Sequence, residues 1–193
     1  MNPLFLFAPA FPLRLEASAE AELLRRARDG EREAIGVLYG RFRDRMVSLA
    51  FGILRDRESA EDAAQEILLR AFDKMPVLHS EREFSSWLYR LALNLCLDRK
   101  RALERRFQLL ERAPENPLTT PNPAPQIETR LALERALDEL GEDERVILML
   151  REWHELSYDE IAAVLALPLG TVKSRLNSAR REFRRIWEAQ DAE

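Results

Sequence analysis

Glycine is scarce in this chain, six among 193 residues, and that shortage sits beside a charged fraction of 33%. Together they disfavour a turn-rich β protein and suit amphipathic helices with charged outer faces. Cysteine occurs once, at Cys96, which excludes an intramolecular disulfide. The two histidines, His79 and His154, are too far apart to supply a zinc-ligand spacing. A reducing, cytoplasmic setting fits that usage, and neither a metal nor another cofactor is expected. Long apolar runs are missing as well. The opening "MNPLFLFAPAFPLRLEAS" has no basic residue before its apolar stretch, and Pro3, Pro9 and Pro12 interrupt it. It is also far shorter than the roughly 20 residues that span a bilayer. Residues 1–18 therefore read as neither signal peptide nor membrane anchor, but as a disordered extension or the product of a start placed too early.

Apolar residues nevertheless make up 46% of the chain, enough for a core in one large domain or two small ones. The expected class is all-α. Leu23, Leu24 and Ala27 precede a break at Asp29-Gly30. Ala34, Ile35, Leu38, Phe42, Met46, Leu49 and Ile53 then recur at threes and fours, so a short helix is followed by a long one. Ser59 reads as the N-cap of a third helix with Glu61 and Asp62 in its first turn. Ile67, Leu68, Ala71 and Phe72 form its buried stripe, and Pro76 ends it. A fourth helix starts between Ser80 and Phe84 and turns Phe84, Trp87, Leu88, Leu91 and Leu95 inward. It runs into "DRKRALERR", with five basic residues and two acids. Residues 19–107 are thus expected to form a first domain.

Five of the ten prolines fall in "APENPLTTPNPAPQ", which cannot propagate a helix. Residues 108–126 read as a semi-extended, solvated linker between two small helical domains. The second domain, 127–187, precedes a short tail, 188–193. It opens with an acidic helix to Leu140, breaks at Gly141 and resumes with "EDERVILMLREW". Ser157 and Glu160 spell a capping box, and Leu156 and Ile161 are spaced as a hydrophobic staple. "ALPLG" then turns the chain, with Pro168 at or just before the first turn of the last helix. Val172, Leu176, Ala179 and Phe183 line that helix's inner face. Lys173, Ser174, Arg175, Asn177, Ser178, Arg180, Arg181 and Arg184 are left outside. The chain carries a net charge of −4, yet six basic residues against one acid lie between Lys173 and Arg185.

Two short helices joined by a tight turn, the second polar and basic outside, make a helix-turn-helix, whose second helix fits the DNA major groove. Arginine and lysine neutralise phosphates, while serine, asparagine and a first-turn lysine reach base edges. A basic face can also be merely solvated, or can complement the helix dipole at its C-terminal end. That would account for Arg184 and Arg185 but not for the small, hydrogen-bonding residues of the N-terminal half.

The stretches "SAEDAAQEILLRAF" and "FSSWLYRLALNLCLDRKR" resemble region 2 of the bacterial sigma-70-type RNA polymerase sigma factors of the extracytoplasmic-function (ECF) group. "LREWHELSYDEIAAVLALPLGTVKSRLNSAR" resembles their region 4. The two occur in the family's order, and the resemblance covers about Ala19 to Arg185. It implies a factor that binds core RNA polymerase and directs initiation at promoters, with no catalysis and no small-molecule substrate of its own. In that family the D-x-x-Q-E surface, here Asp62, Gln65 and Glu66, docks on the clamp helices of the polymerase's largest subunit. The −10 element is implied to meet Asn94, the loop residues Ser80 and Arg82 within the stretch from His79 to Glu83, and Arg99 and Arg101 of the basic end. For the −35 element the implied residues are Arg151 and Tyr158 at phosphates, then Thr171, Lys173, Ser174, Arg175, Asn177, Ser178 and Arg180. Ser178 stands where many relatives have a basic residue, and Gly141 where a proline is frequent. Members are commonly held by an anti-sigma factor, which the linker would permit here.

Apart from that resemblance, Asp62, Gln65 and Glu66 read as a solvated face. Asn94 can also be read as a core amide among Leu91, Leu93 and Leu95, and Phe84 and Trp87 as core rather than stacking platforms. A stand-alone helix-turn-helix regulator is the second reading. A response regulator would need a receiver domain of alternating strands and helices, which residues 19–107 do not spell. Glu61, Asp62 and Glu66, with no helix-borne histidine, make a weak metal site for an enzyme. Acids such as Glu134, Asp138, Glu142, Asp143 and Glu144 lie near the reading helix. The free chain should therefore bind duplex DNA weakly until polymerase supplies the remaining electrostatics.

Overall fold

The computed structural model describes residues 17–74, 81–109 and 125–190, and all regular structure among them is helical. The elements are α1 (Ala17–Arg28), α2 (Arg32–Leu54), α3 (Arg57–Lys74), α4 (Glu81–Leu109), α5 (Pro125–Glu139), α6 (Glu142–Leu148), α7 (Tyr158–Leu165) and α8 (Leu169–Gln190). Between α6 and α7 lies a π-helical turn, Met149–Trp153. The expected all-α class is what the chain adopts. The apolar start, the proline-rich stretch 110–124, Pro76, His79 and Ser80 lie outside the described residues. The chain divides into two compact units, the first carrying α1–α4 and the second α5, α6, α8 and most of α7.

In the first unit α2 packs against α1, α3 and α4. Leu38, Met46 and Leu49 of α2, Ile67 and Leu68 of α3, and Leu88 of α4 are fully buried. Each such side chain contributes roughly 1.5–3 kcal/mol relative to exposure. Ala60, Ala63, Ala64 and Ala71 make up much of the buried face of α3, small residues that let a neighbouring helix approach closely. Phe84 is buried edge-on to Phe42, with ring centroids 5.6 Å apart, and Trp87 leans on Phe84 at 6.1 Å. Trp87, Leu91, Ile35 and Phe72 are half-buried, at the margins of their predicted stripes.

The break at Gly30 has a conformational cause. The α1 helix ends at Arg28, Gly30 is left-handed at φ 86°, and the Glu31 amide returns to the Arg26 carbonyl at 3.1 Å. The expected Ser59 cap is displaced. Arg55 closes α2 in the left-handed region, so the next residue, Asp56, stands directly before α3. Its Oδ2 accepts the Ser59 amide at 2.8 Å, which makes Asp56 the capping side chain and Ser59 the third helical residue. Ser59, by side chain and then by backbone, holds the Asp56 carboxyl below its ordinary range.

In the second unit α6 and α5 both pack on α8. Val172, Leu176, Ala179, Phe183 and Ile186 form the buried stripe of α8. The capping box is present: the Glu160 amide donates to Ser157 Oγ at 3.2 Å, and the Ser157 amide donates to Glu160 Oε2 at 2.7 Å. Leu156 and Ile161 are both buried, as a staple requires. The turn into α8 is made by Ala166, left-handed at φ 53°, with the Leu167 amide bonded to the Ala162 carbonyl at 3.0 Å. Pro168 then precedes α8, and its carbonyl accepts the Val172 amide at 3.1 Å. Gly170 lies inside the first turn of α8 rather than in the bend.

Candidate nucleic-acid interface

The buried stripe of α8 fixes which residues face outward. Lys173, Ser174, Arg175, Asn177, Arg181 and Arg184 are exposed, Thr171, Ser178 and Arg180 half-buried. The result is a convex ridge of donors and cations on a 22-residue helix, with small side chains in its first half. Ser174 Oγ donates to the Thr171 carbonyl at 3.0 Å, so this hydroxyl is partly engaged by its own helix. Internal pairing also trims the positive charge. Arg175 meets Asp143 of α6 at 3.2 Å, Arg180 meets Glu152 at 2.6 Å, and Arg185 meets Glu182 at 2.6 Å. Lys173, Arg181 and Arg184 have no ion-pair partner among the described residues.

Beneath the ridge the π turn presents Arg151 and Glu152. The Arg151 guanidinium donates to the Leu156 carbonyl at 2.8 Å and lies 5.1 Å from the centre of the Tyr158 ring. Arg151 therefore ties the segment entering α7, while Tyr158 sits half-buried at the start of that helix. Sequence reasoning missed both the π turn and Glu152. Val146 to Leu150 are buried without interruption, so no period in that run distinguishes a widened turn from an α-helix.

In the first unit Asn94 is exposed on α4, not a core amide. Arg90, one turn earlier and unremarked in the sequence, shares its exposure, and Arg101 lies two turns beyond it. The i−4 spacing from Asn94 was the available signal for Arg90. Arg101 pairs loosely with Asp98 at 3.6 Å. Arg99 is half-buried and bonded to Glu66 of α3 and to the Ser59 carbonyl. Glu66 also pairs with Arg70. The three residues expected to dock on polymerase thus divide: Asp62 and Gln65 are exposed, whereas Glu66 already bridges α3 to α4. Leu69, 57% exposed one turn after Gln65, adds an apolar side chain to that face. Ser80 lies outside the described residues, and so does the side chain of Arg82. Cys96 is buried, and desolvation pushes its thiol up to about 12, which keeps it neutral and inert. Among the described residues no His, Cys, Asp and Glu group could hold a metal ion, and no helix is long and apolar enough to cross a membrane.

Two family models match the chain, "Sigma-70 region 2" over residues 38–106 and "Sigma-70, region 4" over residues 130–183. Among curated proteins it is similar to the ECF RNA polymerase sigma factor SigM of Mycobacterium tuberculosis. The two are 33% identical over 189 residues, which cover 96% of this chain and 94% of that one. It is 29% identical over 174 residues to the ECF RNA polymerase sigma factor SigW of Bacillus subtilis, covering 84% of this chain and 93% of the other. Among solved structures, CnrH in complex with the cytosolic domain of CnrY shares the fold, with a TM-score of 0.68 at 24% identity over 89% of this chain and 98% of that one. The sigma factor RpoE of Bartonella quintana, solved with the anti-sigma factor NepR, does so with a TM-score of 0.63 at 22% identity, over 83% and 98%.

Proposed function

Because the chain belongs to the ECF group of sigma-70-type RNA polymerase sigma factors, we propose a division of its surface into three working faces. As a sigma factor it binds core RNA polymerase and directs initiation at promoters bearing its −35 and −10 elements. The α8 ridge enters the −35 major groove, with Lys173, Arg175, Arg151 and Tyr158 at phosphates and Ser174, Asn177, Ser178 and Thr171 toward base edges. Asn94, with Ser80, Arg82 and Arg101, meets the −10 element, and Arg90 extends that strip. Asp62 and Gln65 of α3 meet core polymerase, and Glu66 supports them by holding α3 to α4.

The observation that carries the −35 reading is the exposure of Lys173, Ser174, Arg175 and Asn177 together on one helix whose opposite side is buried. The chain performs no chemistry of its own in this scheme and works in the cytoplasm, where polymerase and promoter are. An anti-sigma factor is the expected inhibitor, a reading supported by the solved relative bound to one. The test mixes the purified chain with core polymerase and with an existing holoenzyme in parallel. Initiation gained by the core enzyme alone supports the sigma reading. An effect confined to the pre-formed holoenzyme would support a stand-alone regulator.

A further inference from the structure

We infer that Arg180 is a positioning residue for the reading helix rather than a promoter contact, and that Glu152 of the π turn is the residue that holds it. The inference rests on the reading of α8 as the −35 helix. The Glu152 side chain is only 8% exposed, against 80% for Asp143 beside Arg175. A carboxylate withdrawn that far from water must be paired, because an uncompensated buried charge is strongly destabilising. Arg180 supplies the pairing with two nitrogens, Nε at 2.9 Å and Nη2 at 2.6 Å from Glu152 Oε1. Burial alone would lower the Arg180 pKa, and Glu152 and Tyr158 together outweigh it and raise it.

Swinging this guanidinium outward to a phosphate would strand the Glu152 carboxylate, so Nε and Nη2 hold Arg180 at the pair although Nη1 is not committed to Glu152. Arg175 differs in the property that matters: its acid is open to water, so exchanging Asp143 for a phosphate leaves nothing stranded. The Glu152–Arg180 pair joins residues 28 apart in sequence and fastens the middle of α8 to the turn that precedes α7. Asn177 lies one helical turn before Arg180 and Lys173 two turns before it. A rotation or slide of α8 at Arg180 therefore displaces the groove-facing residues directly. Glu152 and Arg180 set the register in which those residues are presented.

The test uses the holoenzyme, a labelled duplex bearing a promoter it selects from genomic DNA, and the same duplex with the −35 element scrambled, over a salt series. Glu152→Gln and Arg180→Ala are each expected to lower the intact-to-scrambled binding ratio about tenfold. The double variant should be no worse than Arg180→Ala, and the slope of log affinity against log salt should not change. A Glu152→Gln protein that binds the intact duplex normally or more tightly overturns the inference. So does an Arg180→Ala protein whose salt slope flattens by about 0.9, the signature of one lost phosphate contact. If Arg180→Ala loses helical circular dichroism, the isosteric Glu152→Gln decides by its sign. Lys173→Ala is the control. If it leaves slope and ratio unchanged, and the intact duplex is not preferred, the fault lies in the −35 reading and not in the pair.

Discussion

Asp56 shows how much one side chain can decide without any part in binding. Its carboxylate caps α3 by accepting the Ser59 amide, so Asp56→Ala should cost about 1 kcal/mol of stability. The folded protein holds this carboxyl below its ordinary value of 3.8 and therefore binds its proton less readily than the unfolded chain does. The cap's contribution is thus complete above that value and disappears as pH falls through the lower folded one. Thermal unfolding of wild type and variant should show a constant Tm gap down to about pH 5 that closes below about pH 4. On the face of the same helix proposed to meet polymerase, Glu66 is the wrong residue to reverse. An arginine there would stand against Arg70 and Arg99 and damage the α3–α4 contact. Asp62→Arg with Gln65→Arg is the cleaner change. It should abolish co-elution with core polymerase while leaving the Tm within a degree or two, since both side chains are exposed. The outward set on α8 was legible from spacing alone, because its buried residues recur at fours and threes. Pairings such as Glu152 with Arg180 and Glu66 with Arg99 were not, because they join residues 28 and 33 apart and depend on how helices pack.

Helix boundaries were legible where a residue type is tied to a backbone conformation, and obscure where it is not. Gly30 marked the end of α1 because its φ of 86° is costly for any side chain. Ser157 and Glu160 marked the start of α7 because each satisfies an amide of the other's segment. Ala166 gave no such signal: it occupies a left-handed position that glycine would fill more easily. The π turn gave none either, being embedded in continuous apolar sequence. A matched pair of substitutions separates conformation from packing at this scale. Neither Gly30 nor Gly36 has an atom within 4 Å of where a Cβ would stand, so neither change creates a clash. Gly30→Ala should cost about 1 kcal/mol through its φ, while Gly36→Ala, on the exposed side of α2, should gain about 0.5–1 kcal/mol. Urea midpoints that move in the same direction for both would refute this assignment of the two positions.

The whole molecule combines an overall charge of −4 with a cationic ridge that is partly neutralised from within. Both the all-α class and the two families of motifs were legible in the sequence, because helical periodicity and local capping carry that information. The chain's electrostatic balance was only half legible. Acids near the reading helix were visible in the sequence, but Asp143 as the particular partner of Arg175 was not. On the proposed reading, the free chain binds duplex DNA weakly and the ridge acts once polymerase brings a promoter to it. The most direct test of the central claim is to map the 5′ ends of transcripts made on genomic DNA by core polymerase with and without this chain. A set of new start sites, each preceded at fixed spacing by one shared −35 and −10 pair and absent without the chain, is the predicted result. Start sites unchanged by its addition, or new ones with no shared elements upstream, would contradict it.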